Sequence, residues 1–460
     1  MIRSLLLFFV FVSFLTAGFA APFVFSLGYV WVDGFRPQDV SYSILTELPV
    51  SMIMAVAAIG GYFVLDRRFP PKPSAQLVLT LLLAVWVTLT TSWAEVPDPA
   101  WIKWNWAFKT IVFSAFIPYV FRSSIQIEAF ALIWLLALSA NTLPVGAKTI
   151  LSGGGYGHAL GLVAGNSGFA EGSTLAAISL MMVPIFIFLR QHGRIIPRLP
   201  LLSLGYIGAI ALSIAAAVGT YERTALVGAV VMGGHLWWHA RRKLFFGVIA
   251  AVVVLAAGGI TSQRWIERMS TVQTFDSESS ALGRILVWKW TFDYALHHPL
   301  GGGFDVYRID HIQFPNETAD TPPHTIAFHS AYFEVLGEQG WVGLGLFLSL
   351  IATSLVTLRG IAKRTRDRPD LAWSLGMARA LQGALLTFTA CSAFIGVGFQ
   401  PMFYFLFAIT VSLREYTRRA MEGGVERRGR RQISPRSSNV QALAADAHAG
   451  LSARTNLERT

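Results

Sequence analysis

The feature that most constrains this chain is a series of about twelve apolar stretches, each close to the length that crosses a lipid bilayer. They lie near residues 4–30, 45–65, 75–93, 107–121, 129–146, 173–189, 201–219, 224–238, 244–261, 341–358, 379–397 and 402–415. Of the 460 residues, 54% are hydrophobic and only 14% are charged, which is too apolar for one soluble core to bury. The sequence therefore predicts an all-α polytopic membrane protein.

The segments that join these stretches alternate in charge. The basic segments hold the Lys and Arg residues near positions 67–72, 122, 190–198, 241–243 and 359–368, and the positive-inside rule places them in the cytoplasm. The segments between them are poorer in Lys and Arg and are predicted to face the periplasm: 31–44, 94–106, 147–172, 220–223, 262–340 and 398–401. The formal net charge of +11 is thus interpreted as a topology signal, and no pattern favours a nucleic-acid partner.

Four regions follow from this pattern. Residues 1–261 form a transmembrane bundle of about nine spans, 262–340 a periplasmic loop, 341–415 about three further spans, and 416–460 a basic cytoplasmic tail. The tail has almost no bulky apolar residues and is predicted to be disordered. The first stretch has features of a signal peptide, but it continues through Trp31, which favours an uncleaved signal anchor.

The segment 262–340 is the one long connector, and its many aromatic and histidine residues are not typical of disorder. Residues 281–296 show a helical pattern with Arg284 in the first turn. Pro299 and the glycines at 301–303 predict that this helix ends there in a turn. A second amphipathic stretch, 329–340, carries Glu334 and is predicted to be an interfacial helix that leads into the next span.

His329 begins the second stretch and is the main candidate for a catalytic group. A neutral imidazole is suited to take a proton from a hydroxyl near neutral pH, whereas the alternative is a role in capping the helix or bonding within the loop. His324 beside two prolines, His298 and Glu334 are further candidates. The histidines lack the HxxxH or HxH spacing of a zinc site, and the sequence predicts neither a metal nor another cofactor.

Arg223 lies in a short connector beside Glu222. A guanidinium at the membrane surface can clamp a lipid phosphate or diphosphate through two parallel hydrogen bonds. The alternatives are an ion pair with Glu222 or another carboxylate, or snorkelling to the headgroups. Arg223 is therefore a candidate for anion binding whose partner the pattern alone leaves open.

Two motifs of the long connector carry a resemblance to a family. GRILVWKWTFDYALHHPLGGGFDVY and FHSAYFEVLGEQGWVGLGLFL resemble the signature of the O-antigen ligase and O-antigen polymerase superfamily. The N-terminal half is similar, through SWAEVPDPAWIKWNWAFK and SGGGYGHALGLVAGNSGFAEGSTLA, to its exosortase-associated O-glycosylation ligase branch. Glu171, Gly172 and Ser173 stand where that branch has an Asp-Asn-Asn-Glu run, which leaves the branch and the acceptor open.

The resemblance implies a metal-independent transferase of the bacterial inner membrane. It would take a glycan from undecaprenyl diphosphate on the periplasmic face and join it to a hydroxyl of a glycan, lipid or protein acceptor. By the same resemblance, Arg223 and Arg284 would hold the diphosphate and His329 would act as general base. The alternatives are a polysaccharide polymerase of the same superfamily, a transporter or flippase for lipid-linked sugar, and a structural component of an export machine. Few ionisable residues lie within the predicted spans, which disfavours the transporter.

Overall fold

A computed structural model gives the fold of residues 2–42, 44–66, 71–152, 171–240, 243, 275–314 and 323–433, with the side chains of 275–281 and 424–433 left undescribed. Within these ranges the regular structure is helical, and the β pairing is a single bridge between Ile312 and His324. The all-α prediction is confirmed. The chain divides into one unit at Met1–Glu415, which holds the candidate site, and a second at Tyr416–Thr460.

The α-helices follow one another with short connections over most of the described chain. In order they are α1 (Ile2–Ala20), α2 (Phe23–Phe35), α3 (Pro37–Val40), α4 (Val50–Gly61), α5 (Ala75–Ser92), α6 (Pro97–Val120), α7 (Ser124–Ser152), α8 (Gly172–His192), α9 (Pro200–Gly219), α10 (Arg223–His239), α11 (Phe275–His297), α12 (Ala331–Thr365), α13 (Ala372–Cys391) and α14 (Pro401–Ile433).

Six of the described helices are long and apolar enough to cross a membrane, namely α1, α5, α7, α8, α9 and α12. The helix α2 and the segment Val50–Asp66 are apolar but shorter. The protein is thus a multi-pass membrane protein, and the count of about twelve spans stays a prediction. The predicted span at 244–261 lies outside the described residues.

The first predicted span, 4–30, is wrong as a single helix. The chain turns at Ala21 and Pro22, so that α1 ends at Ala20 and α2 begins at Phe23. The two helices then pack together, with the rings of Phe19 and Phe25 5.4 Å apart. Proline lacks the N–H that a helix interior needs and its ring clashes with the preceding turn, which outweighs the unbroken apolar pattern.

The C-terminal helix also differs from the predicted boundaries. Helix α14 continues to Ile433, whereas the sequence predicts disorder from residue 416. Arg418 and Glu422 form an ion pair one turn apart, a spacing that supports an exposed helix. The remainder of the predicted tail, 434–460, lies outside the described residues.

Helix α8 is at the centre of the first unit. It packs against α7, α9, α10 and α13, and α13 in turn packs against α12. Nearly all of its apolar residues are buried in protein, whereas most of α9 is exposed to the surroundings. A helix that is apolar on all sides is stable when it is enclosed by other helices. The central position of α8 places its first residues beside the starts of α10 and α12, where the site lies.

Candidate functional site

The loop helix α11 and the start of α12 have the predicted form. Helix α11 includes the predicted residues 281–296 and ends at His297, where the backbone N–H of His298 donates to the carbonyl of Tyr294 (2.8 Å) and Pro299 follows. Helix α12 begins at Ala331, with Ser330 at its N-cap. Both predicted helices are therefore present, although His329 precedes the second one by two residues, and the interfacial location of that helix stays a prediction.

The glycine turn between these helices sits against a kink in α12. Gly301 (φ 83°) and Gly340 (φ 65°) both adopt the left-handed conformation that favours glycine. A Cβ atom on Gly301 would lie 2.5 Å from the amide nitrogen of Gly340, so the two backbones meet with no room for a side chain. The N–H of Gly303 donates to the carbonyl of Glu338 (2.9 Å), which the kink leaves available. The turn and the first two turns of α12 thus form one rigid unit.

The end of α5 and the connection to α6 contact this unit. The indole N–H of Trp86 donates to the carbonyl of Gln339 (2.8 Å), and the backbone N–H of Glu95 donates to the carbonyl of Gly302 (2.9 Å). Carbonyls that a kinked helix and a turn leave unpaired must find donors when they are buried. The N-terminal half of the chain supplies those donors.

His329 is held in an uncommon backbone conformation, with φ 47°. Its neighbours are fixed on both sides, because the indole N–H of Trp288 donates to the carbonyl of Phe328 (2.8 Å) and the N–H of Ala331 donates to the carbonyl of Ser392 (2.9 Å). A non-glycine residue with positive φ costs free energy and persists where the surroundings impose it. The surrounding helices therefore fix the backbone that carries the imidazole.

The structure brings Arg284 and His329 together. Arg284 is half-buried one helical turn before Trp288, on the side of α11 that faces the His329 segment. Burial lowers the pKa of His329 below its usual value, and the positive charge of Arg284 lowers it further. The imidazole is therefore neutral near pH 7 and able to accept a proton.

Arg223 is the first residue of α10, and its guanidinium is exposed. Within the described part of the chain it forms no ion pair with Glu222, whose carboxylate instead accepts a hydrogen bond from Ser173 (3.0 Å) at the start of α8. Glu171 interacts electrostatically with both Glu222 and Arg284. Its pKa is raised by burial and by the negative charge of Glu222, while Arg284 opposes that rise. Arg223 thus lies at the same end of the bundle as Arg284, with its charge available to a ligand.

The other predicted site residues have contacts of their own. The ring of His298 stacks on Tyr294, with centroids 4.2 Å apart, at the end of α11. His324 forms the β bridge with Ile312 through its backbone, and its ring packs against Phe314. These contacts place both histidines in the framework of the turn and the bridge. Glu334 is different, because it belongs to a buried cluster of charges.

That cluster surrounds Lys103 on α6, which sequence reasoning missed. The Lys103 Nζ atom lies 2.7 Å from Glu334 Oε1, 2.8 Å from Glu338 Oε1 and 3.6 Å from Asp305 Oδ1. Burial would lower the pKa of Lys103, but the three carboxylates raise it well above its ordinary range, so the ammonium stays charged. Lys103 among the tryptophans of α6, and two glutamates one turn apart at the start of α12, are the sequence signal that could have predicted this pairing.

The arrangement has the parts that phosphate chemistry requires. The guanidinium of Arg284 can bind an anion beside an imidazole that accepts a proton, and Arg223 offers a second exposed guanidinium. No group of three or more His, Cys, Asp or Glu side chains in the described residues is placed to hold a metal ion. The site therefore presents cationic side chains and a base.

Comparisons with known families agree with the motifs. Residues 2–194 match a family of unknown function (DUF5935), and residues 208–348 match the O-antigen ligase family. No curated protein matches the chain. The second match includes Arg223, Arg284, the glycine turn and His329. The assignment to the exosortase-associated branch stays a prediction. The match at residues 208–348 supports the O-antigen ligase superfamily that the motifs resemble.

Proposed function

We propose that the protein is a glycan ligase of the bacterial inner membrane. It transfers a glycan from undecaprenyl diphosphate to a hydroxyl group of an acceptor on the periplasmic face. The observation that carries this proposal is the proximity of the Arg284 guanidinium to the imidazole of His329, within the segment that matches the O-antigen ligase family. A base and an anion-binding group side by side are what such a transfer needs.

In the proposed reaction, His329 takes the proton of the acceptor hydroxyl as its oxygen attacks the anomeric carbon of the donor sugar. The bond between that carbon and the diphosphate oxygen breaks, and undecaprenyl diphosphate leaves with the electron pair. Arg284 and Arg223 stabilise the negative charge that develops on the diphosphate. The proximity of Arg284 also keeps His329 unprotonated before the acceptor arrives.

A polysaccharide polymerase is the second candidate, because the superfamily that the motifs resemble includes both ligases and polymerases. It would use the same lipid-diphosphate donor and the same residues. Its acceptor would be the growing lipid-linked chain, and the product would remain on the lipid. The two functions therefore differ in what accumulates when the reaction is blocked.

The test is a gel of surface and lipid-linked glycan from a deletion strain that carries wild type, His329→Ala or His297→Ala at matched membrane levels. His297 is the control, because it is an exposed histidine that ends α11. For His329→Ala we expect long lipid-linked chains that never reach an acceptor, whereas His297→Ala should support normal transfer. Accumulation of single repeat units would favour the polymerase, and normal surface glycan in His329→Ala would contradict the catalytic role.

A further inference from the structure

The Lys103 cluster, which consists of Lys103, Asp305, Glu334 and Glu338, is the most buried group of charges at this end of the bundle among the described residues. Glu338 is fully buried and Glu334 nearly so, and all three carboxylates lie within 4 Å of the same ammonium nitrogen. The ring centroids of Phe304 and Phe399 each lie 5.6 Å from the Nζ atom. Lys103 is therefore largely enclosed by protein groups, with 13% of its side chain exposed.

The carboxylates of the cluster make further bonds that fix the backbone. Glu334 Oε2 accepts a hydrogen bond from the N–H of Gly398 (2.8 Å), just before α14. Glu338 Oε1 accepts one from the N–H of Asp305 (2.9 Å), just after the glycine turn. Through these bonds Lys103 ties α6 to the turn, to the start of α12 and to the segment before α14.

The start of α12 is also the point that determines where His329 lies. Glu334 occupies the first turn of the helix, and its own N–H donates to the carbonyl of Ser330 (2.8 Å), the residue after His329. A shift of Glu334 therefore moves the backbone that carries the imidazole. Displacement of a reacting group by about 1 Å is enough to reduce a rate by about 100-fold.

We infer that Lys103 is a positioning residue of the transfer reaction, which holds the start of α12 and thereby His329 in place. This inference rests on the proposed function. It also gives the N-terminal region a role at the site, because Lys103 belongs to the segment that matches the family of unknown function, whereas its three partners belong to the O-antigen ligase match.

The experiment compares wild type, Lys103→Met, Lys103→Arg and the control Lys109→Arg, each purified whole in detergent and matched for folded protein. Lys109 lies on the same helix with an exposed side chain. Lipid-linked glycan extracted from the deletion strain is the donor, and membranes of that strain supply the acceptor. The rate is measured against donor concentration and against pH, with His329→Ala in parallel.

We expect Lys103→Met to lower kcat by about 100-fold and to leave the KM for the donor unchanged, since the arginines that bind the diphosphate keep their places. Lys103→Arg keeps the charge but not the compact ammonium, so it should remain folded and give an intermediate kcat. In both variants a loosened His329 becomes more hydrated, and the acid limb of the pH profile should move up toward about 6.5. The charged group that acts on His329 is Arg284, and the nearby carboxylate of Glu171 interacts in turn with Arg284, Glu222 and Glu334.

A role in stability alone would lower the amount of folded protein and leave the rate and pH profile of the folded fraction unchanged, which would overturn the inference. A raised KM at unchanged kcat would overturn it as well, because Lys103 would then hold the donor. Full activity of His329→Ala would contradict the proposed function itself, and the positioning role would fail with it. Loss of activity in His329→Ala with normal Lys103 variants would overturn the inference alone.

Discussion

Two of the buried carboxylate sites lie at opposite ends of the helical bundle, and their hydrogen-bond donors differ. Glu128, at the start of α7, accepts bonds from the backbone N–H groups of Arg194 (2.6 Å) and Ile195 (2.8 Å) and from the indole N–H of Trp373 (3.2 Å). Its three donors order the turn after α8 and the start of α13. At the other site, Glu334 and Glu338 share one ammonium at the start of α12, the helix that follows His329.

The difference distinguishes a buried carboxylate with a purely structural role from one that supports a functional site. Glu128 has a separate donor for each of its bonds, so these donors offset the cost of its burial. In the Lys103 cluster one cation faces three acidic groups, and Glu338 Oε2 has no partner among the described residues. Such an imbalance costs stability, and proteins retain it mainly where position or charge matters to function.

The largest expected effect is the loss of transfer in Arg284→Ala. Removal of one group that stabilises developing negative charge reduces kcat by about 100-fold to 1000-fold, and we expect a loss in this range. The exposed Lys289 on the same helix provides the control, and Lys289→Ala should retain normal transfer. The rate is measured with extracted lipid-linked donor. Retention of more than half of the wild-type rate in Arg284→Ala would remove the arginine from the mechanism.

Glu128→Ala should have a large effect of the opposite kind. It leaves two partly buried backbone donors and the buried indole N–H of Trp373 without a carboxylate, and we expect the free energy of unfolding to fall by about 3 kcal/mol. The transfer rate per folded molecule should stay the same, because the lost bonds lie at the other end of the bundle. Melting in detergent measures the stability, with the exposed Glu47→Ala as the control. A changed rate in folded Glu128→Ala would show that the two ends are coupled.

A smaller effect should separate two glycines near α12. Gly301→Ala places a side chain at positive φ and against the backbone of Gly340, so we expect a loss of about 2 kcal/mol. Gly360 has open space around it within the helix, and Gly360→Ala should stabilise the protein by up to about 1 kcal/mol. The two melting temperatures should therefore move in opposite directions. If Gly301→Ala melted like wild type, the turn would not be packed against the kink.

The smallest effect is a shift in pH dependence. Transfer by the wild type should decline as the pH falls, with a midpoint below about 6.5, because burial and Arg284 lower the pKa of His329 and only the neutral ring accepts a proton. Arg284→Ala should move this midpoint up toward 6.5, whereas Glu128→Ala should leave it unchanged. A profile of kcat against pH measures both. A wild-type midpoint well above 6.5 would mean that the decline reports another group.

The sequence by itself determined the parts of this protein that depend on local rules. Helix α11 and its end before Pro299 follow from apolar periodicity and proline chemistry, and both are present. Arg284 and His329 were identified from motifs, and the structure places them together. Even the local rules compete, since an apolar run from residue 4 to 30 predicted one helix whereas Pro22 divides it into two.

Only the tertiary structure decided what each charge meets. Lys103 and Glu338 are 235 positions apart in the chain, and no periodicity relates two residues on different helices. The same holds for the kink at Gly340, which exists because the glycine turn supplies donors to the carbonyls that the kink frees. The sequence shows which side chains would be costly to bury without a partner. Packing decides which partners offset that cost, and in this protein it places the Lys103 cluster at the start of the helix that follows His329, the base that we propose it positions.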